Sequence, residues 1–470
     1  MVEYDYKNQE IADIVNSMII YAASKHASDM HFDPAEDGIH VRFRIDGLLQ
    51  DHTIVPIAYQ RNLITRIKLI SNMNITEYRL PQDGAIKGNI NGIDLDMRVS
   101  SLTTNLGEKI VIRLLDYTQS ANGLESLGFS EKNLKKIKKM IQVPNGIILI
   151  TGATGSGKST TVYTMLQTLN TKETNIITVE DPIEMNIEGI NQVQVNSEIG
   201  LTFGRVLRSI LRQDPNIILI GEIRDTETAQ IAVRASITGH LVFSTIHTNN
   251  SLNTIERLMD MNVERYLLSS ALEGIVSQKL ARRLCPHCKK VRETTSYEKE
   301  LFRRNLKLEV KEIYDVGDTH CEECRNGYKG RIAIHEVLLI DDTIRDAINN
   351  SNLSREDLRK LVYTDKVTTM LQDGLEKVVE GITSFNEIYK LIEIDDDLDS
   401  HYDTENLTAI NEMKKAAQAN SSTTSATVVD ETSSEPLNLG NNAIIEEAET
   451  LDSGVSQNTE VLDLGLLNKM

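Results

Sequence analysis

The run Gly152-Ala153-Thr154-Gly155-Ser156-Gly157-Lys158-Ser159 constrains this chain more than any other feature. It fits G-x-x-x-x-G-K-[ST] and stands where that pattern has physical meaning. The short apolar run Gly146 to Thr151 precedes it as a strand, and Thr160 to Leu169 continues behind it as a helix. Glycines at these positions let backbone N–H groups curl around phosphate oxygens, and the helix N-terminus adds positive potential. Lys158 is expected to pair the β and γ phosphates of a nucleotide, and the Ser159 hydroxyl to ligate Mg²⁺.

The neighbouring sequence supplies a sheet for that loop. Gly146 to Thr151, Thr174 to Val179, Asn216 to Ile220 and Leu241 to Ile246 are short β-branched runs separated by helix-length segments. Such alternation predicts a parallel sheet with helices on both faces. Ligands of open α/β sheets bind at the carboxyl ends of the strands, where this sequence places acids. Glu222 ends Asn216-Ile-Ile-Leu-Ile-Gly-Glu222, as a carboxylate that holds Mg²⁺ through water or polarises the attacking water. Glu180, Asp181 and Glu184 follow another strand, which Pro182 stops. His240 and His247 bracket a third; a lone histidine is more often structural than catalytic, and position alone does not separate the two.

Before this region, the first ~115 residues read as a mixed α/β unit from their periodicity. Val41, Phe43 and Ile45 alternate with charged residues and end at an Asp46-Gly47 turn. Leu63, Ile67 and Ile70 follow helical spacing, Pro81-Gln82-Asp83-Gly84 reads as a turn, and Ile93 to Val99 and Lys109 to Leu115 read as strands. A linker near Tyr117 to Gly128 leads to a charged helix at Glu131 to Met140, and the segment from about 340 to 392 has helical pattern.

Charge is uneven. Residues 393–470 hold 17 acidic and 3 basic residues, a net of −14 out of −19, so the remaining body is nearly neutral. That tail, mostly Ser, Thr, Ala and acid with scattered Leu, is expected to be disordered, because it buries too little to offset ordering entropy. With no Trp and no basic patch interleaved with aromatics, direct nucleic-acid binding is not expected. Met1 to Glu10 is polar and no apolar run approaches ~20 residues, which gives the expectation of a soluble intracellular protein.

All four cysteines fall in two Cys-x-x-Cys pairs, Cys285/Cys288 and Cys321/Cys324, separated by 32 residues. Paired knuckles of four thiolates suit tetrahedral Zn²⁺ with no open position, hence a structural site. His287 and His320 are possible substitute ligands, and the span between the pairs reads as a loop tied down by the metal.

Taken together, these motifs resemble the assembly ATPases of bacterial type II secretion and type IV pilus systems (the GspE/PilB type). The resemblance covers about Ala22 to Ile392. It rests on Ala27-Ser-Asp-Met-His-Phe-Asp-Pro34, Val41-Arg-Phe-Arg-Ile-Asp-Gly47, Arg79-Leu-Pro-Gln-Asp-Gly84, Gly107-Glu-Lys109 and the phosphate loop. Thr178-Val-Glu-Asp-Pro-Ile-Glu184, Leu207-Arg-Ser-Ile-Leu-Arg-Gln-Asp-Pro215, Gly221-Glu-Ile-Arg-Asp225 and Thr238-Gly-His-Leu-Val-Phe-Ser-Thr-Ile-His-Thr248 follow in order.

The resemblance implies an α/β chain: an N-terminal PAS-like α+β domain (1–116), a linker (117–129) and a RecA-like P-loop ATPase domain (130–392). That last part would include a tetracysteine zinc module (about 283–331) and C-terminal helices, with the acidic tail (393–470) outside the resemblance. It implies ATP and Mg²⁺ bound by Gly152, Ala153, Thr154, Gly155, Ser156, Gly157, Lys158, Ser159 and Thr160. Glu180, Asp181 and Glu184 would form an Asp box, Glu222 the catalytic base, His240 and His247 a His box. Arg98, Arg113, Arg208 and Arg212 would sense phosphate.

It further implies a homohexamer, cytoplasmic and peripheral to the membrane, acting on a polytopic inner-membrane platform protein. The cysteine knuckles favour secretion or pilus extension over retraction. Many extension members carry a further N-terminal domain, whereas this chain starts almost directly at the PAS-like domain. The alternative is a type IV secretion-like DNA or protein transport ATPase, against which the four-cysteine module argues. A non-hydrolysing nucleotide sensor is disfavoured by the presence of Lys158, Ser159 and Glu222 together.

Overall fold

Side-chain alternation decides how the first part of the chain packs. The structure, a computed structural model, describes residues 2–90, 93–115, 123–317, 321, 324, 326–364 and 366–393. The expected acidic tail beyond Glu393, residues 117–122 of the linker, and His320 lie outside the described residues. All described residues belong to one compact unit, Met1–Leu407.

Helix α1 (Ile11–Ser24) leads to β1 (Asp29–Ala35), β2 (Gly38–Ile45), β3 (Leu48–Pro56) and α2 (Ile57–Ile70). Strands β4 (Gln82–Ile90), β5 (Ile93–Thr104) and β6 (Gly107–Leu115) follow. They pair in the order β3-β2-β1-β6-β5-β4, every neighbour antiparallel. Met30, Phe32, Val41, Phe43, Met97, Val99, Ile110 and Ile112 share a core with Val15, Met18 and Ile19 of α1 and Leu63 and Ile67 of α2. With a period of two, the residues between them face the other way, among them Asp29, Arg42, Arg44, Arg98 and Arg113. Asp46 and Gly47 turn the β2–β3 hairpin with φ of 49° and 85°, the left-handed values a two-residue hairpin needs.

Gln82-Asp83-Gly84 is not the expected turn but the start of β4, paired with Ser101, Ser100 and Val99. Gly84 serves close approach instead. A Cβ there would sit 2.3 Å from the Ser71 carbonyl oxygen, which accepts the Ala85 N–H at 3.2 Å.

The second sheet follows α3 (Glu131–Met140). Its strands and helices are β7 (Gly146–Thr151), α4 (Lys158–Leu169), β8 (Ile176–Glu180), β9 (Asn191–Gln194), α5 (Phe203–Ile210), β10 (Ile217–Ile220), α6 (Thr226–Ile237) and β11 (Leu241–Ile246). Then come α7 (Ser251–Asp260), α8 (Arg265–Ala271), β12 (Leu272–Leu284), β13 (Lys290–Glu293), α9 (Ser296–Leu306), β14 (Glu312–Asp315) and β15 (Tyr328–Leu339). Helices α10 (Asp342–Asn349), α11 (Arg355–Val362), α12 (Met370–Val379) and α13 (Phe385–Glu393) end the described chain.

The order is β15-β12-β7-β11-β10-β8-β9, parallel except where β15 runs against β12. Strand β7 is buried on both sides: Ile147 and Leu149 join the core under α5 to α8, while Ile148 and Ile150 join the one under α3 and α4. Each such aliphatic side chain stabilises the fold by roughly 1.5–3 kcal/mol on burial.

Polar contacts tie the sheets together. Asp46 at the β2–β3 turn accepts the Gly330 N–H at 3.0 Å, and Arg98 of β5 donates to the Ile183 carbonyl at 2.6 Å. Between the cysteine pairs, the expected loop proves to be structured. Strands β13 and β14 pair antiparallel around α9, whose N-terminus carries a Thr295/Glu298 capping box. Arg292 holds that unit closed, bonding Glu298 at 2.6 Å and Asp315 at 2.6 Å.

Candidate functional site

Because β7, β8, β10 and β11 run parallel, their carboxyl ends meet on one edge, where the chain leaves them at Gly152, Asp181, Gly221 and His247. Gly152 (φ 146°) and Gly157 (φ 88°) shape the phosphate loop. A Cβ at Gly152 would fall 2.4 Å from the Gln278 carbonyl oxygen, and one at Gly157 2.7 Å from Gln278 Nε2. Gln278 of β12 is the back wall of the loop. Its Nε2 donates to the Ser156 carbonyl at 2.6 Å, and its Oε1 accepts the Thr161 hydroxyl at 2.8 Å.

Ala153, Thr154 and Gly155 form the exposed crest, and Ser159 and Thr160 open α4, half-buried. Lys158 is buried and donates to the Gly152 and Ala153 carbonyls, each at 2.9 Å. Burial holds its pKa below the ordinary lysine range, against the opposing pull of Glu222 and Glu184.

Glu222 sits at the same edge with its side chain 15% exposed. One oxygen lies 2.5 Å from Arg224 Nη2 and the other 3.5 Å from His247 Nε2. The Arg224 fork also reaches Asp181 at 3.9 Å. Phosphate loop, Glu222, Asp181, Glu184 and His247 therefore converge.

Glu180 occupies a different environment. It is buried and accepts hydrogen bonds from Tyr163, from Thr178 Oγ1 at 2.5 Å and from Gln192 Nε2 at 3.0 Å. Burial first, then Glu180, pushes the Tyr163 phenol above its usual range, and its oxygen accepts the Glu184 N–H at 3.2 Å. Glu180 thus anchors the loop that carries Asp181 and Glu184, with its own oxygens already engaged.

Other expected residues stand apart. His240 is at the amino end of β11, Nδ1 against the Ala235 carbonyl at 2.9 Å. The strand between it and His247 spans about 20 Å at ~3.3 Å per residue. Arg208 of α5 pairs with Glu227, and Arg212, just past the end of that helix, donates to the Arg208 carbonyl at 2.6 Å; both are exposed. Arg113 pairs with Asp29 at 3.0 Å, beside its cross-strand neighbour Arg98.

Residues 5–390 match the family described as Type II/IV secretion system protein. This chain belongs to that family. Type II secretion system protein E of Dickeya dadantii is 46% identical over 382 residues, 81% of this chain and 75% of its own length. The type II secretion system ATPase E of Vibrio cholerae is 44% identical with the same coverage. The type IV pilus assembly ATPase PilB of Thermus thermophilus is 43% identical, covering 80% of this chain and 42% of its own. Among solved structures, the pilus retraction motor PilT with bound ADP superposes with a TM-score of 0.57 at 26% identity, covering 80% of this chain and 96% of its own.

As a type II/IV secretion system protein with an intact phosphate loop, the chain is an ATPase. Its second constellation is the tetracysteine cluster of this family member. The sulfurs of Cys285, Cys288, Cys321 and Cys324 lie within 4.8 Å of one another, Cys285 to Cys321 at 3.7 Å and Cys288 to Cys324 at 3.4 Å. Four thiolates ~2.3 Å from a tetrahedral zinc stand about 3.8 Å apart, so this donor set fits the ion. No described helix is long and apolar enough to cross a membrane.

Gln278 and Arg224 were not among the expected site residues. Arg224 lies inside a quoted motif, yet only the fold brings it to Asp181. Gln278 is 122 residues from the carbonyl it holds, and no spacing signals that.

Proposed function

We propose that this ATPase acts as a homohexamer whose turnover powers assembly of a type IV pilus or of a type II secretion or competence pseudopilus. It would work at the cytoplasmic face of the membrane against a polytopic platform protein. The domain plan is a PAS-like domain over 1–116, a linker over 117–129 and a RecA-like motor over 130–392, with a zinc module at about 283–331 whose four cysteines would hold structural Zn²⁺. The four-cysteine module favours this over a type IV secretion-like transport ATPase.

The supporting observation is the hydrogen bond from Arg98 to Ile183. It connects the six-stranded sheet to the loop that carries Asp181 and Glu184, so phosphate chemistry at the motor edge has a mechanical exit into the other sheet. Lys158 would leave the Gly152 and Ala153 carbonyls for the phosphates. Glu222 would orient the attacking water and take its proton. Arg98 and Arg113, and from the motor domain Arg208 and Arg212, would balance charge on the transferring phosphoryl group. Ser159 and the edge carboxylates would hold Mg²⁺, which would supply neutralisation of phosphate charge.

Glu222→Gln should bind ATP and assemble like the wild type while losing about 10²-fold or more in turnover. Hydrolysis at the wild-type rate would remove Glu222 from the mechanism.

A further inference from the structure

Arg224 sits between two fixed points of the backbone. The N–H of Ile223 bonds the Thr245 carbonyl at 3.0 Å, and Asp225 caps α6 by accepting the Thr228 N–H at 2.8 Å. The Arg224 side chain itself is 62% exposed, so packing does not dictate where its guanidinium lies. What holds it is charge: Glu222 at 2.5 Å on one branch and Asp181 at 3.9 Å on the other. One fork thus spans two carboxylates from the ends of two different strands, β10 and β8. The side chain can leave that position without disturbing Ile223 or the α6 cap.

A guanidinium and a hard divalent cation both bind carboxylate oxygens. Arg224 takes one oxygen of Glu222 and stands beside one oxygen of Asp181, and its positive charge opposes a divalent cation brought to the same two carboxylates. We propose that Arg224 gates cation loading: its guanidinium competes with the divalent cation of the bound nucleotide for Glu222 and Asp181, and must swing outward for that cation to be held. Arg224 is then a positioning residue, since it acts through the carboxylates and not on the substrate. It ties Glu222 to the loop of Asp181, and release of that tie accompanies loading. This inference rests on the ATP site described above.

The test uses the full chain, a non-hydrolysable ATP analogue and Mn²⁺ titrated by electron paramagnetic resonance, which reads free and bound cation without turnover. Arg224→Gln removes the competitor, so Mn²⁺ should bind about two- to fivefold more tightly, the range a partly exposed ion pair supports. Arg224→Lys keeps a cation there and should stay within about twofold of the wild type. Unchanged or weaker Mn²⁺ binding in Arg224→Gln, with analogue affinity retained, would overturn the proposal. So would an Arg224→Lys chain that shifts as far as Arg224→Gln, because charge competition would then not be the cause. If the wild-type chain binds neither analogue nor Mn²⁺, the ATP site itself is wrong and Arg224 gates nothing.

Discussion

Gln278 shows how much a single amide can hold. Its two ends engage the phosphate loop and the first helix turn behind it, and its side chain is 2% exposed. Gln278→Ala would strand the Ser156 carbonyl and the Thr161 hydroxyl in a dry site, at a cost of about 1–3 kcal/mol. Denaturant unfolding should register that loss, and nucleotide titration a weaker affinity. Gln278→Glu, which keeps the acceptor for Thr161 but turns a carboxylate toward the Ser156 carbonyl, should not rescue it. At this scale the sequence was legible where chemistry is written in consecutive residues, from Gly152 to Thr160 and at Glu222. It was silent where two residues meet only through folding. Glu180 was legible as a site carboxylate but not as a buried anchor, because its partners Tyr163 and Gln192 come from separate elements.

Periodicity revealed the elements with uniform strands and failed at mixed ones. The strands at 146, 176, 217 and 241 are buried throughout and mostly apolar, as strands covered on both faces are. Strand β12 interleaves Gln278, Lys279, Arg282 and Arg283 with its core residues, because it passes from the sheet interior to the cysteine module, and that mixture hides it. The module has short strands; Phe302 and Ile313 tie it to the cluster formed with α12 and α13, and metal ligation would add the order of the cysteine knuckles. Metal analysis should find about one zinc per chain, as four thiolates demand. Chelation should raise hydrogen exchange across 290–315 while the strands at 146–151 and 241–246 stay protected. A metal-free chain with the module still fully protected would contradict a structural zinc.

Across the whole molecule, each sheet conceals a histidine held neutral. His52 is buried in the first, stacked on Phe43 at 4.3 Å, and burial holds its pKa down at about 4. His335 is fully buried in the second, against Phe129 at 3.9 Å, and burial keeps it well below the ordinary imidazole range. Unfolded histidines protonate near pH 6.5, so on acidification the unfolded chain takes up these protons first. Stability is therefore full above pH 6.5 and falls below it, by about 1.4 kcal/mol per pH unit for each group. For His52 the loss stops near pH 4. Unfolding midpoints between pH 7 and 4 should show this slope, and His52→Phe, which keeps the ring stack, should remove the His52 share and leave that of His335.

Strand β12 begins beside β7, backs the phosphate loop at Gln278 and ends one residue before Cys285. It spans about 40 Å at ~3.3 Å per residue, with register shifts between Leu272 and Gly274 and between Arg282 and Leu284. A ligand that favours one arrangement of this strand at one end would shift affinity at the other, and such an exchange runs both ways by thermodynamic necessity. Zinc bound at the cysteine knuckle would then change the grip on nucleotide by the same factor with which nucleotide changes the grip on zinc.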